Sequence, residues 1–177
     1  MKAILVTGTP GTGKTVLAKS LAGKHGIYVD VKKIINEKKF LQAGYDEQRK
    51  SIIVDEEKLG KYFDSVIKRS KKTLIIDSLL AHHASPENAR ICFVLRCEPK
   101  ELGKRLKKRK YAKNKVEENV EAEKLDVILV EALQKGHRVH EINTTKRKVD
   151  DSSREAEKVL KKKIKASHGK TRWLKDN

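Results

Sequence analysis

The stretch Gly8-Thr9-Pro10-Gly11-Thr12-Gly13-Lys14-Thr15 decides how this chain folds. Four residues separate Gly8 from Gly13, and Lys-Thr follows, which is the spacing of a phosphate-binding loop. A polyphosphate must lose water from several charges at once. Successive backbone N–H groups can surround it only where the chain bends tightly, and glycines permit that bend. A helix opening at the loop adds free N–H groups and the positive end of its dipole. Gly11, Gly13, Lys14, Thr15 and Val16 are therefore the expected nucleotide contacts. Lys14 reaches the outer phosphates as the catalytic cation, and Thr15 offers its hydroxyl to Mg²⁺.

The flanking sequence supplies what the loop needs. Residues 2–7 form a short apolar run, which reads as a buried strand, and residues 14–24 carry Val16, Leu17 and Leu21 at helical spacing. Further on, residues 27–29 read as a strand and 31–40 as a short helix. Residues 42–55 read as a loop in which Ile52, Ile53 and Val54 could be buried. Leu59, Phe63, Val66 and Ile67 place a helix over 56–70. Residues 73–77 and 90–95 are buried strands. A basic helix is expected over 99–110, one long helix over 116–135 closed by Gly136, and a last strand over 137–142. Strands that are continuous apolar runs and alternate with helices predict an α/β fold: three layers around a parallel sheet of about five strands.

Asp77 ends its strand. There it either holds Mg²⁺ through water or caps a helix over 78–81. After Asn143 come the basic loop Lys146-Arg147-Lys148 and a helix reaching Ala166, for which Ser152 with Glu155 resembles a capping box. Residues 168–177 read as a frayed tail. The expected division is a domain over 1–148 followed by a basic helix and tail over 149–177.

The chain has 177 residues, with 42 Lys and Arg against 24 Asp and Glu, a formal net charge of +18. No run of 18 apolar residues exists, and the apolar start is too short for a signal peptide. Cys92 and Cys97 read as buried thiols of a reducing compartment. These features speak against a secreted, membrane or fibrous protein and for a cytoplasmic one, or a nuclear one in a eukaryote. The charge excess fits either a lysine-rich thermophile surface or a polyanionic partner, RNA first. It is densest over 100–115, where nine Lys and Arg face the single acid Glu101. Lys104, Lys107 and Lys108 share one helical face with Arg105 flanking it, and Lys161, Lys162, Lys163 and Lys165 form a second candidate surface. Only 5% of residues are aromatic, so such contacts would go to phosphate backbone rather than to stacked bases.

Together, the N-terminal phosphate loop, the polar insertion after the first helix, Phe93-Val94-Leu95-Arg96, and Arg109-Lys110-Tyr111 before the acid-rich 117–123 resemble a divergent branch of the adenylate kinases. Its eukaryotic members include a nuclear adenylate kinase that is also an ATPase of small-ribosomal-subunit assembly, and archaea have compact relatives. The resemblance implies a monophosphate-binding arm over about 30–56 and a short lid over about 108–118. It implies that ATP and Mg²⁺ bind, that Arg109 lies against the base or phosphates of ATP, and that Lys146 lines the base. It also implies ADP and a nucleoside monophosphate as ligands, and a small-subunit ribosomal protein and rRNA as partners. Two positions depart from the pattern. Leu79 stands where the branch often has a histidine, with His82 and His83 out of register. Lys32, Lys33, Asn36, Lys38 and Lys39 stand where an arginine usually grips the acceptor phosphate. Two other functions stay open: a plain metabolic nucleoside monophosphate kinase, and a nucleotide-gated RNA-binding protein.

Overall fold

A computed structural model describes residues 2–174. The elements run β1 (Ala3–Gly8), α1 (Lys14–His25), β2 (Ile27–Asp30), α2 (Val31–Glu37), β3 (Gln42–Asp46), β4 (Ser51–Val54), α3 (Glu56–Arg69), β5 (Leu74–Asp77), β6 (Ala89–Arg96), α4 (Pro99–Lys108), α5 (Lys113–Lys124), α6 (Val127–Gln134), β7 (Val139–Asn143) and α7 (Val149–Leu160). Five strands form one parallel sheet in the order β2-β5-β1-β6-β7. The loop strand β1 is central, with β5 and β6 as its neighbours, and Val6 pairs with Asp77 across the first of these.

Helices cover both faces, which is why the central strands β5, β1 and β6 are buried almost throughout. Ala3 and Leu5 point into a core with Leu59, Phe63 and Ile67 of α3 and Ile128, Leu129 and Ala132 of α6. Ile4 and Val6, on the alternate positions, point into the opposite core with Leu17 and Leu21 of α1 and Ala156, Val159 and Leu160 of α7. The expected α/β, three-layer, five-stranded parallel architecture is the observed one. Cys92 and Cys97 are both free and buried. Among the described residues no helix is long and apolar enough to cross a membrane.

Four local expectations are corrected. Residues 42–54 form an antiparallel hairpin rather than a loop, pairing Tyr45 with Ile52 and Asp46 with Ser51. Its turn is held by the Arg49 N–H donating to Asp46 Oδ1 at 2.8 Å. The expected helix over 116–135 is two helices, because Asp126 takes a left-handed backbone (φ 56°) and its carboxylate pairs with Arg96. That ion pair outweighs helix continuity. Ser152 and Ser153 do not open α7. They are buried in its second turn, Lys148 is the cap residue, and the helix ends at Leu160 rather than Ala166.

The fourth correction concerns the chain end. Over 168–174 it is not frayed, whereas residues 175–177 of the expected tail lie outside the described residues. Ser167 O accepts the Glu141 N–H at 2.9 Å on the free edge of β7. Glu141 Oε2 accepts the N–H groups of Gly169 and Lys170 at 2.7 and 3.3 Å. Thr171 is buried.

His82 is fully buried in the short turn after β5. Its Nε2 lies 3.1 Å from Glu131 Oε2 but outside hydrogen-bond geometry. Desolvation first, and then the positive fields of His83, Lys135 and His137, push its pKa down to about 3. Above pH 6.5 the ring is neutral whether the chain is folded or not. Below that, the unfolded chain takes up a proton that the folded chain refuses, so stability is lost as pH falls from about 6.5 toward 3. Urea unfolding at pH 7.5 and pH 5.0 should show stability lower at pH 5.0 by up to about 2 kcal/mol from this group alone. His82→Gln should shrink that difference, even if it lowers stability at both pH values.

Candidate functional site

The phosphate loop sits at the carboxyl end of the central strand, in the place that open α/β sheets use for ligands. Its bend depends on glycine at two close approaches. Gly8 has φ 132°, and a Cβ there would lie 2.4 Å from the Leu95 carbonyl oxygen of β6. Gly11 has φ 92°, and a Cβ would lie 2.9 Å from Leu102 Cδ1 and 3.0 Å from Leu106 Cδ2 of α4. The loop is thus clamped between β6 and α4. Thr12 Oγ1 donates to Thr9 O at 2.8 Å, and Thr144 Oγ1, after β7, donates to Thr12 O at 2.9 Å.

Lys14 Nζ arches over the loop and donates to Gly8 O at 2.7 Å and Thr9 O at 3.1 Å. Desolvation lowers its pKa to about 8; Arg109 pushes the same way, and Asp77 and Glu123 oppose. Asp77 does not act as a helix cap. Its Oδ2 accepts the Tyr28 hydroxyl at 2.9 Å, and Thr15 lines the same cavity as that phenol. Burial and the hydrogen bond to Asp77 raise the Tyr28 pKa far above its ordinary value. The Thr15 hydroxyl and the Asp77 carboxylate thus line one cavity together with Lys14. Hard oxygen donors of this kind fit Mg²⁺ shared with phosphate and water.

Two cavities meet at the loop, and Gly11 and Arg109 line both. The smaller, about 230 Å³, is walled by Val16, Arg105, Thr144, Arg147 and Val149. The larger, about 870 Å³, runs from Lys14, Thr15 and Asp77 past Tyr28 to α2 and the hairpin. Lys19, Lys32, Lys50 and Lys115 line it, with Asn36 among them. The structure thus brings together Gly11, Gly13, Lys14, Thr15, Val16, Asp77 and Arg109. Lys146 is not among the residues lining either cavity. It is exposed, with φ 49°, and its neighbour Arg147 faces the smaller cavity instead.

Sequence reasoning missed three groups. Arg105 is not part of the free lysine face; its guanidinium donates to Thr144 O at 2.9 Å and lines the smaller cavity. The signal was present, since Glu101 and Arg105 are spaced by four in α4 and Arg109 follows at the same interval just past its end. Tyr28 lies in the expected strand over 27–29, and its contact with Asp77 arises from β2–β5 pairing, which no local pattern marks. Arg96, at the end of the Phe93-Val94-Leu95-Arg96 stretch, is 2% exposed and ion-paired with Glu123, Asp126 and Glu141. The histidines near Leu79 do not serve the site: His82 is buried behind it, and His83 faces Glu56 at 3.5 Å.

Comparison with known proteins bears on the family and the fold. The model of the AAA domain family matches residues 4–126. A protein of Methanosarcina barkeri named "Putative adenylate kinase" is 40% identical over 157 residues, covering 88% of this chain and 84% of its own. Proteins of the same name from Methanocaldococcus jannaschii and Pyrococcus furiosus are 40% and 36% identical, covering 90% and 97% of this chain and 86% and 91% of their own. A crystal structure of a sugar kinase from Janibacter sp. HTCC2649 superposes with a TM-score of 0.55 at 16% identity, covering 95% of this chain and 99% of that one, which bears on the fold alone.

The depressed Lys14 pKa has a measurable consequence. A bound triphosphate supplies negative charge and returns the ammonium toward its ordinary pKa, so binding takes up a proton between about pH 8 and pH 10.5. Nucleotide affinity should fall as pH rises above about 8. Calorimetry at pH 8.5 in buffers of different ionisation enthalpy should show net proton uptake, and Lys14→Met should abolish it. Identical enthalpies in all buffers would contradict the assignment.

Proposed function

The chain belongs to the AAA domain family and to the family of these archaeal adenylate-kinase relatives, and from that premise we propose that it transfers the γ-phosphoryl group of ATP to a nucleoside monophosphate, or to water, during small-ribosomal-subunit assembly. At the coarser level it is a nucleotide kinase-like protein with a P-loop kinase fold.

The observation that carries the reading is the pair of cavities joined at Gly11 and Arg109. The smaller one accepts the donor base between Val16, Arg105 and Arg147. The triphosphate then runs along the loop N–H groups toward Lys14 and the larger cleft, where the acceptor sits. An acceptor oxygen attacks the γ-phosphorus, the bond to the β–γ bridging oxygen breaks, and ADP leaves. Lys14 and Arg109 stabilise the charge that builds on the transferred group. Thr15 and, through water, Asp77 would hold Mg²⁺, which neutralises phosphate charge when bound.

The acceptor side favours a dual outcome. Lys19, Lys32, Lys50 and Lys115 line the cleft. Lysine is a point charge without the bidentate fork of arginine, so the acceptor phosphate is held by field more than by geometry. Water then competes with the monophosphate as the nucleophile. The ribosomal part of the reading is supported by the +18 charge and by the resemblance carried by the loop, the arm and the lid sequence. The outer face of α4 is its candidate surface. Lys104, Lys107 and Lys108 are exposed there and form no ion pair with another described residue.

Coupled assays of ADP formation with AMP and of phosphate release without it should both show turnover. Lys14→Met should reduce each by about 100- to 1000-fold, and near-wild-type turnover in the folded variant would overturn the reading. Replacing Lys104, Lys107 and Lys108 with Ser should flatten the log–log salt dependence of rRNA binding by about two to three units. An unchanged slope would favour the metabolic kinase.

A further inference from the structure

The phosphate loop is tied to the far end of the chain through one buried carboxylate. Glu123 of α5 is 2% exposed. Its Oε2 accepts the Thr9 hydroxyl at 2.6 Å. Its Oε1 accepts Arg96 Nε at 2.8 Å, the Cys97 N–H at 3.1 Å and Trp173 Nε1 at 3.1 Å. Three donors share Oε1 and one reaches Oε2, so both oxygens of the carboxylate are engaged inside the protein. Thr9 lies in the loop itself and is 1% exposed; its carbonyl receives Lys14 Nζ at 3.1 Å and Thr12 Oγ1 at 2.8 Å. One continuous path of hydrogen bonds therefore runs from the Trp173 N–H through Glu123 and Thr9 to the catalytic lysine.

The tail that carries Trp173 is fixed at its other end by the same cluster. Arg96 Nη1 donates to Glu141 Oε1 at 2.8 Å, and Glu141 Oε2 holds the Gly169 and Lys170 N–H groups. The Arg96 guanidinium lies 5.8 Å from the centroid of the Trp173 ring. Trp173 lines neither cavity of the site.

We propose that Glu123 is the positioning residue of the phosphate loop, and that the C-terminal segment, through the Trp173 N–H, completes its setting. The inference rests on the nucleotide reading of the site. Thr9 lies beyond the β1 ladder and glycines flank the bend; the Thr12 N–H donates to Thr9 O at 3.3 Å and shapes the turn, and the Thr9 hydroxyl on Glu123 ties that turn to the core. A bound triphosphate draws Lys14 Nζ away from Thr9 O toward the phosphates. That change reaches Trp173 through Glu123, although the indole touches no nucleotide.

Trp173 is the only tryptophan of the chain, so its emission reports this path without a label. Titrating the wild-type chain with MgADP under 295 nm excitation should change Trp173 emission. Binding is measured in parallel by the anisotropy of a mant-labelled ADP. Thr9→Val keeps the side-chain shape but removes the donor to Glu123. It should abolish the emission change and weaken mant-ADP about tenfold, the cost of one hydrogen bond to a charged acceptor. Trp173→Phe keeps an aromatic ring over Arg96 and removes the N–H; it should weaken mant-ADP several-fold. Trp173→Phe decides the matter alone if Thr9→Val does not fold. Wild-type affinity in Trp173→Phe, or an unaltered emission change in Thr9→Val, would overturn the inference while leaving the nucleotide reading intact. A wild-type chain that does not bind mant-ADP would overturn both.

Discussion

A loop that surrounds phosphates with backbone N–H groups cannot hold its own shape with side chains, because they would occupy the space of the ligand. Its conformation has to be imposed from outside. Here β6 passes under Gly8 so closely that its Leu95 carbonyl would meet any Cβ, and Leu102 and Leu106 of α4 close over Gly11. Thr144 fixes Thr12, and Glu123 fixes Thr9. Much of the topology follows from these four contacts. β6 must lie beside β1, α4 must start directly after β6, and the chain leaving β7 must return to the loop. α5 must carry an acid inward.

That acid brings a second constraint. Arg96 meets Glu123, Asp126 and Glu141 in a largely buried cluster of one cation and three carboxylates. Removing charges from water is costly, and such a cluster persists only where hydrogen bonds satisfy most of its oxygens. The chain supplies them from distant places: the Thr9 hydroxyl, the Cys97 N–H, the Trp173 indole, and the N–H groups of Gly169 and Lys170. The break between α5 and α6 is part of this arrangement. An unbroken helix would not carry Asp126 to Arg96 with the left-handed backbone it has.

The contrast between what the sequence reveals and what it conceals follows from the range of each interaction. The loop, the strand ending in Asp77 and the parallel sheet are legible because their signals lie within a few consecutive residues. Val16, Lys14 and Thr15 follow from the same spacing. The hairpin over 42–54 is masked because Tyr45 and Ile53 are exposed and Gly44 interrupts the alternation. The order of the tail is invisible for another reason. Ser167, Gly169 and Lys170 are held through backbone groups, to which side-chain patterning is blind. Lys146 and Arg147 differ by one position, and the left-handed Lys146 turns the second of them inward. A run of three basic residues carries no mark of which one faces the site.

The same limit applies to the charge. Along the sequence, 100–115 is one basic block that reads as a single surface. In the fold the block divides by helical phase. Arg105 and Arg109 turn toward the loop, where Arg105 is held by Glu101 and Thr144 and both arginines line the smaller cavity. Lys104, Lys107 and Lys108 stay in solvent. The inward cations join Lys14, Lys19, Lys32, Lys50, Lys115 and Arg147 in lining two cavities. A nucleotide bound there neutralises those charges but not the outward ones. The excess on α4 is thus separate from what the site requires, and it needs its own explanation. Each uncompensated lysine raises the self-repulsion of the folded state, and a second polyanion outside the cleft removes that repulsion.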